Sequence, residues 1–388
     1  MRVFFLPRWF PHPDDPLWGL FVLRHAMAVQ RFADVSVIYV DKRRDLKGIE
    51  NPVVENIEGI PVLYWFYHES SIPLAGRIVT FVRMLSAWHQ AWHMAVKQWG
   101  KPDINHVHIL TRIGAVAFWL KRRFNIPYVI TEHWSRYLPQ NFYYRGWLRK
   151  AITRKVVEAS GAVMPVTMDL ASAMKSHGLI HDNYIVIPNV VDTALFKPSA
   201  KPKERRVLNF VHISTFDDRA KNISGMIRVF ASLKKSGRDF RLKLIGDGAD
   251  YLKVFRLAEE LVLNPPTLEF TGAMDAQGVA SELAGSDMLV MFSNYENMPV
   301  VINEALSCGI PVLATRVGGI PGVIHSRNGL LVDPGDEEAL FSALATLMDE
   351  DFDTRFDSEG IRREAVEQFD LTSVGRRIFN IYNMVLNQ

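Results

Sequence analysis

Short apolar runs alternate with amphipathic stretches along most of this 388-residue sequence. In the first half the runs that are typical of β-strands lie at 2–6, 35–40, 61–67, 104–109, 127–133, 162–167 and 184–189. Between them, the stretches 21–32, 75–99 and 111–124 carry apolar residues at helical spacing. This alternation predicts a parallel sheet with helices on both faces.

The same pattern starts again after 195–206, a charged stretch that contains prolines. The second series predicts strands at 207–214, 240–246, 268–272, 287–292 and 311–315, with helices such as 222–237 between them. We therefore expect an α/β chain of two Rossmann-like, doubly wound domains, 1–190 and 205–370. Ligands of such sheets bind at the carboxyl ends of the strands, in the cleft between facing domains. The last helical segment, 372–388, is expected to return to the first domain.

Charge differs between the two halves. Residues 1–185 hold 23 Lys and Arg against 14 Asp and Glu, a net charge of +9, and the remainder holds 22 against 28, a net charge of −6. A single cysteine, Cys308, excludes an internal disulfide. The apolar stretch before Pro7 is too short for a signal peptide, and no run of about 18 apolar residues is present. The single cysteine and the absence of such segments favour a cytoplasmic protein, and no nucleic-acid partner is expected.

The segment 293-SNYENMPVVINEALSCGIPV-312 follows a predicted strand and holds two glutamates. Pro299 suits the first turn of a helix, where its missing N–H costs nothing. The amides near such a helix start form an anion site; they belong to Met298, Val300 and Val301. Glu304, roughly 7 Å further along the axis, could accept two hydrogen bonds from a ribose. Glu296 could meet sugar hydroxyls, so a nucleotide diphosphate-sugar explains the spacing.

The segment resembles the signature of the family 4 retaining glycosyltransferases, which have the GT-B fold. The similarity extends to further motifs, which are 5-FLPRWFPHPDDPLWGLFVLRHA-26, 186-VIPNVVDTALFKP-198, 244-LIGDG-248, 270-FTG-272, 317-VGGIPGVI-324 and 328-NGLLVDP-334. The resemblance implies transfer of a sugar from a nucleotide diphosphate, with retention, to a saccharide or lipid-linked acceptor in envelope or exopolysaccharide synthesis. It also implies sugar and ribose roles for Glu296 and Glu304.

Lys221 follows the first strand of the second domain and could neutralise phosphate charge as the leaving group departs. The family has such a lysine, usually with an arginine just after the strand. Here those positions hold Ser214, Thr215 and Phe216, and the nearest arginine is Arg219. Arg219 is therefore a candidate for the second cation, against the alternative of an exposed loop arginine.

Two residues of the first domain are further candidates. His133 ends a predicted strand where the family carries a histidine near the reacting sugar, and a neutral imidazole could accept a bond from a hydroxyl. Gly19 precedes the first helix, where a missing Cβ lets backbone approach a phosphate. The alternatives are a buried histidine bonded to backbone and a plain helix-start glycine. His106 and His108 are predicted to be structural, and His25 a helix-face residue.

Neither a metal nor another cofactor is expected. The adjacent aspartates Asp14–Asp15 and Asp217–Asp218 lie in predicted loops without ligand-spaced partners, and Lys221 with helix amides could meet the diphosphate charge. No G-x-G-x-x-G follows the first strand, which disfavours a dehydrogenase. A sugar-nucleotide epimerase of the same fold and an inactive nucleotide-binding scaffold remain the alternatives.

A basic, aromatic segment follows His133. Between Arg136 and Lys155 it holds six basic residues and no acidic one, interleaved with Tyr137, Phe142, Tyr143, Tyr144 and Trp147. Such a composition favours an anionic membrane surface. The alternative is a solvated basic helix whose aromatic rings turn into the core.

Overall fold

The computed structural model describes residues 1–12, 14–43, 51–72, 76–139, 144–199 and 207–387. The chain divides into two compact units: one comprises Met1–Val166, Leu170–Val190 and Leu371–Gln388, the other Thr167–Asp169 and Val191–Asp370. Of the predicted elements, residue 75 of the first long helix, residues 200–206 of the linker and residue 388 lie outside the described ranges.

A seven-stranded sheet forms the centre of the first unit in the described part of the chain. Its strands are β1 (Arg2–Pro7), β2 (Asp34–Arg43), β3 (Val53–Ile57), β4 (Ile60–His68), β5 (Ile104–His108), β6 (Tyr128–Glu132) and β7 (Val163–Pro165). They are ordered β3-β4-β2-β1-β5-β6-β7 and all pair in parallel except β3, which is antiparallel to β4. The apolar pattern does not predict β3, because this edge strand, VVENI, contains two polar residues and none of its side chains is fully buried.

The predicted strand at 184–189 is wrong. Tyr184 alone forms a bridge with Val163, although the N–H groups of Ile185 and Ile187 bond to the carbonyls of Val163 and Pro165. The neighbouring strand β7 has three residues and ends at Pro165, which has no N–H to donate. The segment therefore runs extended beside β7 without forming a ladder.

Helices cover both faces of this sheet. They are α1 (Leu20–Gln30), α2 (Gly76–Trp99), α3 (Ile113–Phe124), α4 (Trp147–Glu158), α5 (Met168–Ser176) and the C-terminal α14 (Leu371–Leu386). The last of them packs against α1 so closely that a Cβ on Gly375 would lie 2.1 Å from the carbonyl oxygen of Ala28. A glycine is thus required where the C-terminal helix crosses α1.

A six-stranded, wholly parallel sheet forms the second unit among the described residues. Its strands are β8 (Leu208–Ile213), β9 (Phe240–Ile245), β10 (Leu268–Gly272), β11 (Met288–Met291), β12 (Val312–Thr315) and β13 (Gly329–Val332), ordered β10-β9-β8-β11-β12-β13. Its helices are α6 (Asp218–Lys221), α7 (Ile223–Lys235), α8 (Tyr251–Glu260), α9 (Ala276–Gly285), α10 (Val300–Ser307), α11 (Glu337–Asp349), α12 (Phe352–Arg355) and α13 (Ser358–Phe369). Strand order reverses between β8 and β11, and such a reversal opens a crevice at the carboxyl ends of these strands.

Candidate functional site

The loops that follow β8 and β11 are joined at this reversal. The backbone N–H of Asn294 donates to the carbonyl of Ala220 at 2.8 Å, and its side-chain amide donates to the carbonyl of Arg219 at 3.0 Å. One asparagine after β11 therefore holds the short helix α6 that follows β8. The sequence-predicted Lys221 and Glu296 are brought together by this junction.

Lys221 and Glu296 form a direct ion pair. Lys221 Nζ lies 2.5 Å from Glu296 Oε1, which also accepts a bond from Ser293 Oγ at 2.9 Å. Their side chains are only 17% and 9% exposed. The sequence indicated a role for each residue but not this contact between them. A lysine has three donors and a carboxylate two acceptor oxygens, so one shared bond leaves both residues capacity for a ligand.

The helix after the first glutamate begins one residue later than predicted. Pro299 has an extended ψ of 122° and is the residue that caps α10, which starts at Val300. Its carbonyl accepts the N–H of Ile302 at 3.2 Å. The first amides of a helix have no partner within the helix, so those of Val300 and Val301 lie where an anion can bind them. Met298, directly before the cap, is buried.

Glu304 lies in the second turn of α10 and is only 7% exposed. A helical side chain leans towards the helix N-terminus, so this carboxylate lies on the side of the predicted anion site. Buried carboxylates are uncommon unless they are bonded. Glu304 therefore stays a candidate for the ribose-binding group.

Two glycine positions shape the loops around the pair. Gly318 has a φ of +53°, and a Cβ there would lie 2.1 Å from the carbonyl oxygen of Glu296. The neighbouring Gly319 donates its N–H to the carbonyl of Asn297 at 2.7 Å. This role of Gly318 was not predicted, although a Gly-Gly pair after a strand is a signal for close backbone approach.

No arginine lies directly after β8, where the family usually has its second cation. Phe216 is fully buried and stacks on Tyr251 at 5.7 Å, so it belongs to the core. Arg219 is exposed, on the first turn of α6. Asp218 pairs with Lys253 at 2.6 Å and bonds to Ser224, which gives this aspartate a structural role.

In the first unit, His133 belongs to a buried histidine cluster. Its Nδ1 lies 3.2 Å from Asn189 Oδ1, and its Nε2 lies 3.1 Å from His108 Nδ1. Burial holds the pKa of His133 well below its ordinary value, so the ring is neutral at neutral pH. Because the amide oxygen only accepts, His133 Nδ1 carries the proton and its Nε2 accepts from His108.

The remaining histidines of this cluster are structural. His106 bonds to Tyr382 of α14 at 2.6 Å and to Thr131 at 2.7 Å. His25 is fully buried, and its ring meets those of His108 and His133 at 5.4 and 5.1 Å. On its helix, His25 thus faces the sheet.

Glu132 was not predicted as a key residue, yet it organises the loop after β6. Its carboxylate accepts backbone N–H bonds from Leu110, His133 and Trp134 at 2.9, 3.0 and 2.8 Å. Burial raises the pKa of Glu132 to about 7, although these three bonds oppose the shift. The side chain ties the ends of β5 and β6 together.

Gly19 has a structural reason to be glycine. It precedes α1 with a φ of +72°, and a Cβ would lie 2.4 Å from the carbonyl carbon of Trp9. The start of α1 therefore packs directly on backbone of the segment after β1.

The basic segment 136–155 divides into buried and exposed aromatic residues. Tyr137 and Tyr144 are buried, as the alternative interpretation expects, whereas Trp147 is 81% exposed. Phe142 and Tyr143 lie outside the described residues. No helix within the described ranges has the length and apolar character that crossing a bilayer needs.

Two family profiles match different parts of this chain. Residues 208–350 match the profile of the family described as glycosyl transferases group 1, and residues 21–190 match the glycosyl transferase 4-like domain. This chain belongs to the family 4 glycosyltransferases of the GT-B fold.

Individual relatives agree with this membership. The chain is 30% identical to N-acetyl-alpha-D-glucosaminyl L-malate synthase of Bacillus anthracis over 59% of this chain and 61% of that protein. It is 24% identical to the putative teichuronic acid biosynthesis glycosyltransferase TuaC of Bacillus subtilis over 94% and 92%. The crystal structure of HepE of Anabaena with UDP has the same fold, with a TM-score of 0.74, 20% identity and coverage of 99% and 100%. The matches span 56% to 65% of the length of several of the curated relatives.

Proposed function

We propose that this glycosyltransferase moves a sugar from a nucleotide diphosphate-sugar to a saccharide or lipid-linked acceptor, with retention and without a metal ion. The observation that carries the proposal is the Lys221–Glu296 pair at the strand-order reversal, directly before the N-terminus of α10. Cation, carboxylate and helix amides there match the phosphate and hydroxyl groups of one ligand.

Each part of the donor has an assigned partner. The amides of Val300 and Val301, with that of Met298 beside them, bind the diphosphate, and Glu304 accepts hydrogen bonds from the ribose hydroxyls. Lys221 neutralises charge on the departing phosphate, and Glu296 holds hydroxyls of the sugar. In its exposed position, Arg219 is proposed to add a second positive charge at the phosphates.

Retention fits a reaction in which the leaving phosphate oxygen takes the proton of the acceptor hydroxyl on the same face of the sugar. The protein then positions the substrates and stabilises charge. His133 is proposed to orient a hydroxyl of the reacting sugar or of the acceptor, and Gly19 to let backbone approach a phosphate. Both nitrogens of His133 are already bonded, so a hydroxyl would replace one of those bonds.

The acceptor side is assigned to the first unit. The basic segment 136–155 and its exposed Trp147 support the further proposal that this unit works at the cytoplasmic, anionic surface of a membrane. Polysaccharide synthesis is proposed because the relative TuaC is named for teichuronic acid biosynthesis. Both matching family profiles are described as glycosyl transferases, which favours transfer over the epimerase alternative.

Incubation with a panel of nucleotide sugars tests the proposal. We expect slow release of free nucleotide from one donor, at a rate unchanged by EDTA, because lysine and amides meet the phosphate charge. Release that stops with EDTA and returns with Mg²⁺ would contradict metal independence. A changed sugar without released nucleotide would show an epimerase, and no reaction with any donor would leave a binding scaffold.

A further inference from the structure

A large cavity lies in the first unit, at the carboxyl ends of β1, β5 and β6. It measures about 890 Å³, near the upper end of the range for small-molecule sites, and α2 and α4 form its walls. Arg8 follows β1, Arg112 follows β5, and Trp134 and Arg136 follow β6. The cavity therefore occupies the position where a parallel sheet binds ligands.

The walls of this cavity are apolar and open to solvent. Phe81, Val82 and Leu85 of α2 are 55%, 56% and 47% exposed, and Leu148 and Ile152 of α4 are 56% and 43% exposed. An exposed apolar surface of this kind is rare without a binding role. The hydroxyls and charges of a free sugar or a nucleotide would find few hydrogen-bond partners on such a surface. A hydrocarbon chain would be buried there favourably.

One end of the cavity is strongly basic. The guanidinium groups of Arg8 and Arg136 both lie over the ring of Trp134, at 5.4 and 3.4 Å from its centre. Among the described residues, the Nε atoms of both arginines are buried without a hydrogen-bond partner. Arg112 and Arg149 line the same end, and no described acidic residue lines the cavity.

Burial is the first cause that lowers the pKa of Arg8, and the charge of Arg112 is the second, although Asp41 opposes both. For Arg136, burial again comes first, and the charges of Arg149 and Arg8 add to it, while Glu132 opposes them. These arginines repel one another in a partly buried place. A bound anion would relieve the repulsion and supply the missing acceptors.

A second, polar cavity adjoins the first. It measures about 540 Å³ and shares Phe81, Met84, Arg112 and Arg149 with the apolar cavity. Lys42 lies in it, paired with Glu69. The two cavities thus form an apolar compartment and a polar compartment that share Arg112 and Arg149.

We propose that these cavities bind one amphiphilic acceptor, a saccharide linked to a lipid through a phosphate or diphosphate. Its hydrocarbon chain lies between α2 and α4, and its phosphate contacts Arg8, Arg112, Arg136 and Arg149. Its saccharide head, which carries the acceptor hydroxyl, occupies the second cavity. This inference rests on the proposed glycosyl transfer and names the acceptor class for it.

Titration of tryptophan fluorescence with farnesyl diphosphate tests the inference, since Trp88, Trp119 and Trp134 line the cavity. We expect saturable binding that is at least about tenfold tighter than that of inorganic pyrophosphate or farnesol, because each lacks one half of the ligand. Arg112→Gln should weaken binding at least about tenfold through lost charged hydrogen bonds. Leu85→Gln should weaken it through lost apolar contact.

Matched controls are available in the same unit. Arg123→Gln changes an exposed arginine of α3 and Ile180→Gln a 59% exposed isoleucine, both outside the cavity lining, and neither should alter binding. Pyrophosphate binding as tight as that of farnesyl diphosphate, or equal loss in site and control variants, would overturn the inference. Attachment to phosphatidylglycerol vesicles without farnesyl diphosphate binding would also overturn it, in favour of a membrane surface.

Nucleotide release from the donor is measured in the same preparation. Release without binding of farnesyl diphosphate overturns the acceptor inference and leaves the proposed transfer intact. Binding without release from any donor supports the cavity assignment and counts against the proposed transfer.

Discussion

Lys221→Ala is expected to lower turnover by about 10²–10³-fold, the size of effect seen when one preorganised charge-stabilising donor is removed. Lys221 is the cation that contacts the glutamate at the strand-order reversal, and its side chain is held at 17% exposure. The loss should appear in kcat and also as weaker nucleotide diphosphate binding. Lys253→Ala is the matched control, since that lysine also pairs with a carboxylate but is 62% exposed. Initial rates of nucleotide release measure both variants.

Glu296→Ala should spare free nucleotide binding but lower turnover, because its proposed partner is the sugar. Because Lys221 and Glu296 form an ion pair, each single substitution also removes the partner of the other residue. The effects of Lys221→Ala and Glu296→Ala on turnover should therefore fall short of additivity in the double variant. Wild-type rates in both single variants would place the catalytic site elsewhere.

Acidification is expected to destabilise the first unit strongly between about pH 6.5 and pH 4. Burial lowers the pKa of His25 to about 4, and those of His106, His108 and His133 are also well below the ordinary value. The unfolded chain takes up these protons at higher pH than the folded chain does. The histidines therefore contribute their full stabilisation above about pH 6.5, and this contribution falls as the pH drops from 6.5 to 4. For His25 alone the shift corresponds to roughly 3 kcal/mol at ~1.4 kcal/mol per pKa unit.

Glu132 acts in the opposite direction. Burial raises its pKa to about 7, so its contribution to stability is present at low pH and is lost as pH rises towards 7. The pH dependence of four histidines exceeds the opposite pH dependence of one glutamate. The free energy of unfolding should therefore rise from about pH 4.5 to about pH 6.5. Urea unfolding at several pH values measures this, with His25→Asn expected to flatten the slope and exposed His68→Gln to leave it unchanged. A free energy of unfolding that does not change over this range would contradict the buried, neutral cluster.

The alternation of apolar runs predicted the strands of the two described sheets except β3 and β13, because buried parallel strands are continuous apolar segments that local sequence reveals. It failed where burial is partial or a neighbour is short. The edge strand β3 holds two polar residues and no buried one, and the edge strand β13 is buried at only two of its four positions. The segment 184–189 lies beside a three-residue strand. In these three places tertiary context decides the pairing.

The sequence indicated which residues belong to the candidate site but not the contacts between them. The Lys221–Glu296 bond depends on Asn294, which joins two loops whose residues are about 75 positions apart in sequence. The periodic pattern of apolar residues does not indicate a contact between two distant loops. Likewise, the role of Phe216 as a core residue follows from its stacking on Tyr251, a contact between loop and helix that the local sequence does not encode.

We propose that the second unit holds a nucleoside diphosphate with its ribose at Glu304. Calorimetric titration of UDP, ADP and GDP into the wild-type protein and Glu304→Ala tests this binding. We expect one nucleotide to bind the wild-type protein, and the variant to lose ~1.5–3 kcal/mol of its binding free energy, about 10- to 150-fold in Kd. Glu338→Ala, a change of an exposed glutamate on α11, should bind as the wild type does. Equal affinity in a folded Glu304→Ala variant would show that Glu304 does not bind the ribose.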